Sequence, residues 1–312
     1  MNVVVSGSTG FLGRHLMPIL SAKYKNVIGL SSKDYDLMDE AQVKKMFEET
    51  RPQIFIHLAA YSGGIGANRT KPADFYFINT ILTAYGFEYA AKYGVKKMIY
   101  TMGGCSYPSN AVSPIDETQM WNGYPQKESA GYSGAKKMGI VASESYNTQF
   151  GLNSTVLIPG NMYGEYDNFK NEESHVVPAM LRRYYEAKLE GKESVTMWGT
   201  GTPTRDFVYA GDVAAVIPWF IDHFDETGPV NISSGTTTSI KELAEQIKEV
   251  VGYKGRIEWD TDKPDGQMYK IFDTSKMKSL GISCQTKLFD GLYKTAKWLD
   301  ENYADKTDGI RL

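Results

Sequence analysis

Short β-branched, apolar runs alternate in the first half of this chain with longer stretches whose apolar residues recur at helical spacing. The runs Asn2 to Ser6, Val27 to Leu30, Ile54 to Ala59, Lys97 to Thr101 and Ser154 to Ile158 read as strands. Phe11 to Ala22, Glu40 to Glu49, Ala73 to Tyr93 and Ala130 to Phe150 read as the intervening helices. Such alternation predicts right-handed crossovers and an α/β fold, a doubly wound parallel sheet covered on both faces. Pro18 has no N–H to give, so it is expected to kink or shorten the first helix.

After Pro159 the pattern changes to loops rich in Gly, Pro and aromatic residues, PGNMYGEYDNF and MWGTGTPTRDF, with helices expected near His175 to Glu190, Asp212 to Phe224 and Ser239 to Val250. This predicts a smaller C-terminal α/β lobe laid over the sheet, built from 159–206 and about 233–300. Residues 1–158 and about 207–232 then form the larger unit, and 301–312 a polar tail.

The 312 residues are 42% hydrophobic and 23% charged, with a net charge of −3. Nucleic acid is not an expected partner, because the chain has no basic excess or stripe. No run approaches the roughly 18 apolar residues of a spanning helix, and the start MNVVVSG lacks a secretory pattern. No membrane association and a cytoplasmic location are therefore expected. Two cysteines, Cys105 and Cys284, are too few for a disulfide framework, and no metal-site spacing is present.

Val3 to Val5 run directly into GSTGFLG, which opens a helix. Gly7 allows a tight turn, Gly10 lets backbone approach a pyrophosphate, and Gly13 lets helix pack on strand, while the helix N-terminus attracts the anion. This order predicts a Rossmann-type dinucleotide site. An NAD site usually carries an acidic residue at the end of the second strand. Here that strand ends Leu30-Ser31-Ser32-Lys33, where Ser32 and Lys33, helped by Arg14, suit a 2′-phosphate. NADP(H) is therefore favoured and NAD(H) remains open. Lys33 and Arg14 also read as solvated charges, and Asp36 reads equally as an adenine partner or as a cap of the next helix.

YSGAK places Tyr132 and Lys136 on one face at the start of a long helix. An ammonium beside a phenol is expected to lower its pKa and let Tyr132 exchange a proton with a sugar oxygen. Joined to the glycine turn, this pair resembles the extended short-chain dehydrogenase/reductase family. GGIGANRTKPADF, CSYP, NMYGEYDNF, SHVVPAMLRR, WGTGTPTRDF and VVGYKGRI with KPDG are similar to its GDP-L-fucose synthase branch.

That resemblance implies a homodimeric epimerase/reductase of a GDP-linked 4-keto-6-deoxy sugar. Cys105 and His175 would exchange protons beside the ketone, and hydride would then reach C4 while Tyr132 serves O4. It also implies cofactor contacts from Thr9, Phe11, Leu12, Leu58, Ala59, Lys136 and His175, and substrate contacts from Asn161, Arg183, Trp198, Arg205, Lys263 and Asp265. Arg182, His15, His57 and His223 read as structural residues. One position departs from the family: a Ser or Thr that holds the C4 oxygen is Gly103 here, followed by Gly104. A C4-only reductase or dehydrogenase of a GDP-sugar, a heptose for instance, is the alternative, and a non-catalytic dinucleotide sensor is a further one.

Overall fold

A computed structural model describes residues 1–170, 173–263 and 265–303; the end of the expected polar tail, 304–312, lies outside them. Six parallel strands form the main sheet. Across it they run Pro229–Ile232, Ser154–Pro159, Lys97–Thr101, Ile54–His57, Asn2–Ser6 and Asn26–Leu30. From the strand Asn2–Ser6 the chain goes outward to Asn26–Leu30, then returns to the other side at Ile54–His57. The order therefore reverses beside the glycine turn, and a crevice at the carboxyl ends of the strands follows from that reversal.

The first strand is apolar throughout because both faces of the sheet are covered. Val3 and Val5 pack with Leu12, Leu16 and Leu20 and with Val213 and Ile217. Val4 points the other way, into Phe47, Phe55, Phe87 and Tyr100. Pro18 neither ends nor shortens the first helix, which runs from Phe11 to Lys23; buried Leu16 and Leu20 anchor it on both sides of the missing N–H.

The helices Pro72–Lys92 and Ala130–Phe150 lie along each other on one face. A third apolar cluster joins Tyr163, Phe169, Leu181, Tyr184, Leu243, Ile247, Leu292 and Leu299 in the smaller lobe. Within the stretch expected to belong wholly to that lobe, Met277 and Ile282 instead pack in the core beneath the main sheet. Among the described residues, no helix is long and apolar enough to cross a membrane.

Candidate active site

Gly7 has φ +73°, and a Cβ there would stand 2.8 Å from the amide nitrogen of Ala59. A Cβ on Gly13 would meet the Gly7 carbonyl at 2.4 Å. Side chains are thus excluded from a cradle whose helix begins at Phe11, with Gly10 as its extended, uncapped start. The same contacts bring Leu58 and Ala59, at the end of the third strand, against the turn. These residues fit a dinucleotide pyrophosphate. Leu12 is buried in the core, so only its backbone is available there.

Arg14 is held elsewhere than expected. Its Nε donates to the Thr9 carbonyl at 3.0 Å, and its guanidinium lies 5.4 Å from the centre of the Tyr166 ring. Among the described residues no bond joins it to Ser32 or Lys33. Asp36 does not cap the next helix: it accepts from Met38 N at 2.9 Å within its own turn, and Asp39 caps the helix Glu40–Thr50 through Ala41 N. Ser32 and Lys33 are exposed at the end of the second strand.

On the helix Ala130–Phe150, Lys136 is buried, with Nζ 4.0 Å from the centre of the Tyr100 ring. The helix comes this close because residue 139 is Gly; a Cβ there would overlap Tyr100 at 2.3 Å. Burial lowers the Lys136 ammonium to about 7, an effect opposed by the charge of Cys105. The expected lowering of the Tyr132 phenol is not found: burial, then Cys105 and Tyr100, push it up. Desolvation penalises the phenolate, and the Lys136 ammonium is seated on the Tyr100 ring. Tyr132 is therefore a neutral phenol, the form that donates a proton.

Cys105 lies in a short helical turn, Gly104–Ser106, tied to the helix Ala130–Phe150 by the Ser133 hydroxyl, which donates to its carbonyl at 3.0 Å. It is partly exposed and within electrostatic reach of Tyr132, Lys136 and Lys270. The two neighbouring glycines differ. A Cβ on Gly103 would meet Cys105 Sγ at 3.2 Å and the Tyr132 hydroxyl at 3.7 Å, whereas a Cβ on Gly104 would collide with the Phe272 ring at 2.3 Å. Any extra room beside Tyr132 thus comes from Gly103 alone. The Ser106 hydroxyl is buried, with no hydrogen-bond partner among the described residues.

His175 is an exposed residue at the start of the helix Val176–Leu189. Its approach segment docks on the Gly63–Gly64 turn, where Gly64 N donates to the Glu173 carbonyl at 2.7 Å. A Cβ on Gly63 would touch Phe75 at 3.3 Å, and the Phe75 ring stands edge-on to Tyr132 at 6.3 Å. Packing thus links the His175 segment to Tyr132.

Arg183, Trp198, Arg205 and Asp265 line one cavity of about 300 Å³ between the lobe helix and the WGTGTP loop. Trp198 is 68% exposed, with Lys263 Nζ 5.9 Å from the centre of one of its rings. Two arginines and an exposed indole beside apolar Val176, Met180 and Ile240 suit a base and a diphosphate. Asp265 also organises the site, accepting from Thr200 N and Oγ1 at 2.9 and 2.7 Å. Asn161 donates to the Asp206 carbonyl at 2.8 Å, beside Arg205. A larger hollow, about 650 Å³, lies at the opposite end of the sheet around Asn2, Arg51 and Lys96 and contains none of the expected residues.

The NAD dependent epimerase/dehydratase family matches residues 3–233. The chain belongs to this family. It is 37% identical over 305 residues to GDP-L-fucose synthase 1 of Arabidopsis thaliana, covering 97% of this chain and 94% of that protein. The GDP-L-fucose synthetase of Naegleria fowleri bound to NADP superposes with a TM-score of 0.90 at 28% identity, over 99% of this chain and 96% of that one. MlghC, a GDP-mannoheptose C4 reductase of Campylobacter jejuni with NADP bound, gives 0.87 at 29% identity, over 96% and 98%.

In this epimerase/dehydratase family member, two further residues near the candidate site were not selected by sequence reasoning. Lys270 is lowered by burial, while Cys105 favours and Arg205 opposes its charge, so it lies within electrostatic reach of both. Asn231, 0% exposed, joins the surrounding segments. Its Oδ1 accepts from the Tyr107 hydroxyl at 2.6 Å, its Nδ2 donates to the Ile115 and Asp273 carbonyls, and its N–H donates to Glu117. Lys270 could have been found as the first cation after KPDG. Asn231 gives no local signal, since its partners come from three distant segments.

Proposed function

We propose that the protein is an NADP(H)-dependent epimerase/reductase of a GDP-linked 4-keto-6-deoxy sugar. The observation that carries this reading is Cys105, a partly exposed thiol set among Tyr132, Lys136 and Lys270. Reduction at C4 needs no thiol, whereas inversion beside a ketone needs groups that remove and return protons.

In this reading Arg183, Arg205 and Lys263 bind the diphosphate end and Trp198 packs on the base. Cys105 and His175 exchange protons on carbons flanking the 4-keto group, whose hydrogens the carbonyl acidifies. Tyr132 then gives its proton to O4, and Lys136 holds the nicotinamide ribose. The bound dinucleotide supplies the hydride. Ser32 and Lys33 support the phosphorylated form, as does the NADP bound to the Naegleria and Campylobacter relatives.

Gly103 favours a second reading, a C4-only reductase of a GDP-sugar, because a side chain that would hold O4 is missing there. Incubation with a GDP-4-keto-6-deoxy sugar in deuterated water separates the two. The proposal expects deuterium at C3 or C5, lost in Cys105→Ser; a reduced product free of deuterium defeats it. Exposed Tyr76, Phe77, Met138, Val141 and Phe150 on the paired helices Pro72–Lys92 and Ala130–Phe150 support a homodimer through that face.

A further inference from the structure

The second strand ends without an acidic residue, but the turn that follows brings one back. Ser31 N and Ser31 Oγ both donate to Asp34 Oδ2, at 2.8 and 2.7 Å. Asp34 N returns a bond to the Ser31 carbonyl at 3.1 Å, and Lys33 N donates to Ser31 Oγ at 3.2 Å. The turn is local and closed, of the kind Ser and Asp side chains make.

It also stands beside the dinucleotide cradle. Ser8, inside the glycine turn, donates to the Leu30 carbonyl through its N–H at 3.0 Å and its hydroxyl at 3.1 Å. Ser31 therefore leaves the strand where the adenosine ribose of a dinucleotide in this fold lies. Asp34 is exposed, and its Oδ1 makes no hydrogen bond among the described residues. The two Ser31 bonds hold its carboxyl below the usual carboxylate range, so it is an anion at neutral pH.

We infer that Asp34 sets the cofactor preference of this site: its carboxylate accepts from a ribose 2′-hydroxyl and repels the 2′-phosphate that Ser32 and Lys33 attract. The inference rests on the dinucleotide reading above. Asp34 and Lys33 are adjacent and opposed in charge, so the site discriminates weakly and takes both NADPH and NADH. An acidic residue at the strand end itself would instead have excluded the phosphate.

The test is calorimetric titration of the full-length protein with NADPH and with NADH at fixed ionic strength, for wild type, Asp34→Asn, Asp34→Ser and Lys33→Met. Asp34→Asn keeps an oxygen for the Ser31 N–H, and Asp34→Ser removes the charge independently. Both are expected to shift the ratio of the two dissociation constants toward NADPH by about two- to fivefold, the range of an exposed charge contact. Lys33→Met should shift it the other way. A ratio unmoved in both folded Asp34 variants overturns the inference while leaving the dinucleotide reading intact. Wild-type protein that binds neither dinucleotide overturns both.

Discussion

Gly103 lies against Tyr132: a first side-chain carbon on it would stand 3.7 Å from the phenol oxygen, at ordinary van der Waals distance, and 3.2 Å from Cys105 Sγ. A hydroxyl on that carbon would point a second donor at the oxygen that Tyr132 serves. Gly103→Ser is expected to raise the single-turnover rate of C4 reduction on the order of tenfold, and Gly103→Ala to leave it near wild type. Equal rates in both variants, followed through NADPH absorbance, would remove any O4-positioning role from this position.

Tyr132 is held neutral by burial, so its loss should affect protonation of O4 and not proton exchange beside the ketone. Tyr132→Phe is expected to slow C4 reduction by about 10²–10⁴-fold while solvent deuterium still enters at C3 or C5. Unchanged turnover would remove Tyr132 from the chemistry. Because the Lys136 ammonium sits near 7 in the free protein, it loses its proton as pH rises through that value. Dinucleotide affinity should therefore fall between pH 6 and 8, and Lys136→Met should flatten that part of the profile; an equally steep profile in the variant would refute the assignment.

Asn231 joins Tyr107, Ile115, Glu117 and Asp273 from inside the protein. Asn231→Ala strands a buried hydroxyl and two carbonyls, each at about 1–3 kcal/mol when left without water. A lower melting temperature is expected, with isotope exchange at C3 and C5 reduced more than C4 reduction, since the network supports the Cys105 and Lys270 side. A parallel fall of both rates would make Asn231 a general structural residue.

His57 is buried between Ser6 Oγ, 2.7 Å from Nδ1, and the Leu82 carbonyl, 3.0 Å from Nε2. Burial first, and Lys136 second, push it down to about 3. A base whose folded pKa is depressed gives stability that is present above about 6.5 and lost as pH falls toward 3. The urea midpoint should drop between pH 7 and 4.5, and His57→Gln should lessen that slope. Identical slopes would mean that His57 does not carry the effect.

Much of the site was legible because its signals are local. Gly7, Gly10 and Gly13 need only a strand, a turn and a helix in succession, and Tyr132 and Lys136 need only one helical turn. Arg183, Trp198, Arg205 and Asp265 were legible through resemblance, and the structure gathers them around one cavity. Asp34 was missed because the acidic residue was sought at the strand end, while a Ser31 turn returns it from three residues later. The ionisation of Tyr132 was misjudged because spacing gives proximity to Lys136 but not desolvation.

By itself, the sequence determined the parallel sheet and the glycine turn and offered the candidate reactive groups, since hydrophobic period, glycine placement and helical spacing act over a few residues. Only the tertiary structure decided how those groups are tuned. It seated Lys136 on Tyr100, filled the space at Gly104 with Phe272 while leaving Gly103 beside Tyr132, and brought Lys270 toward Cys105. Those outcomes depend on burial and on contacts between residues far apart in the chain. Local pattern cannot encode either, because charge energetics follow the surrounding solvent and neighbours in three dimensions.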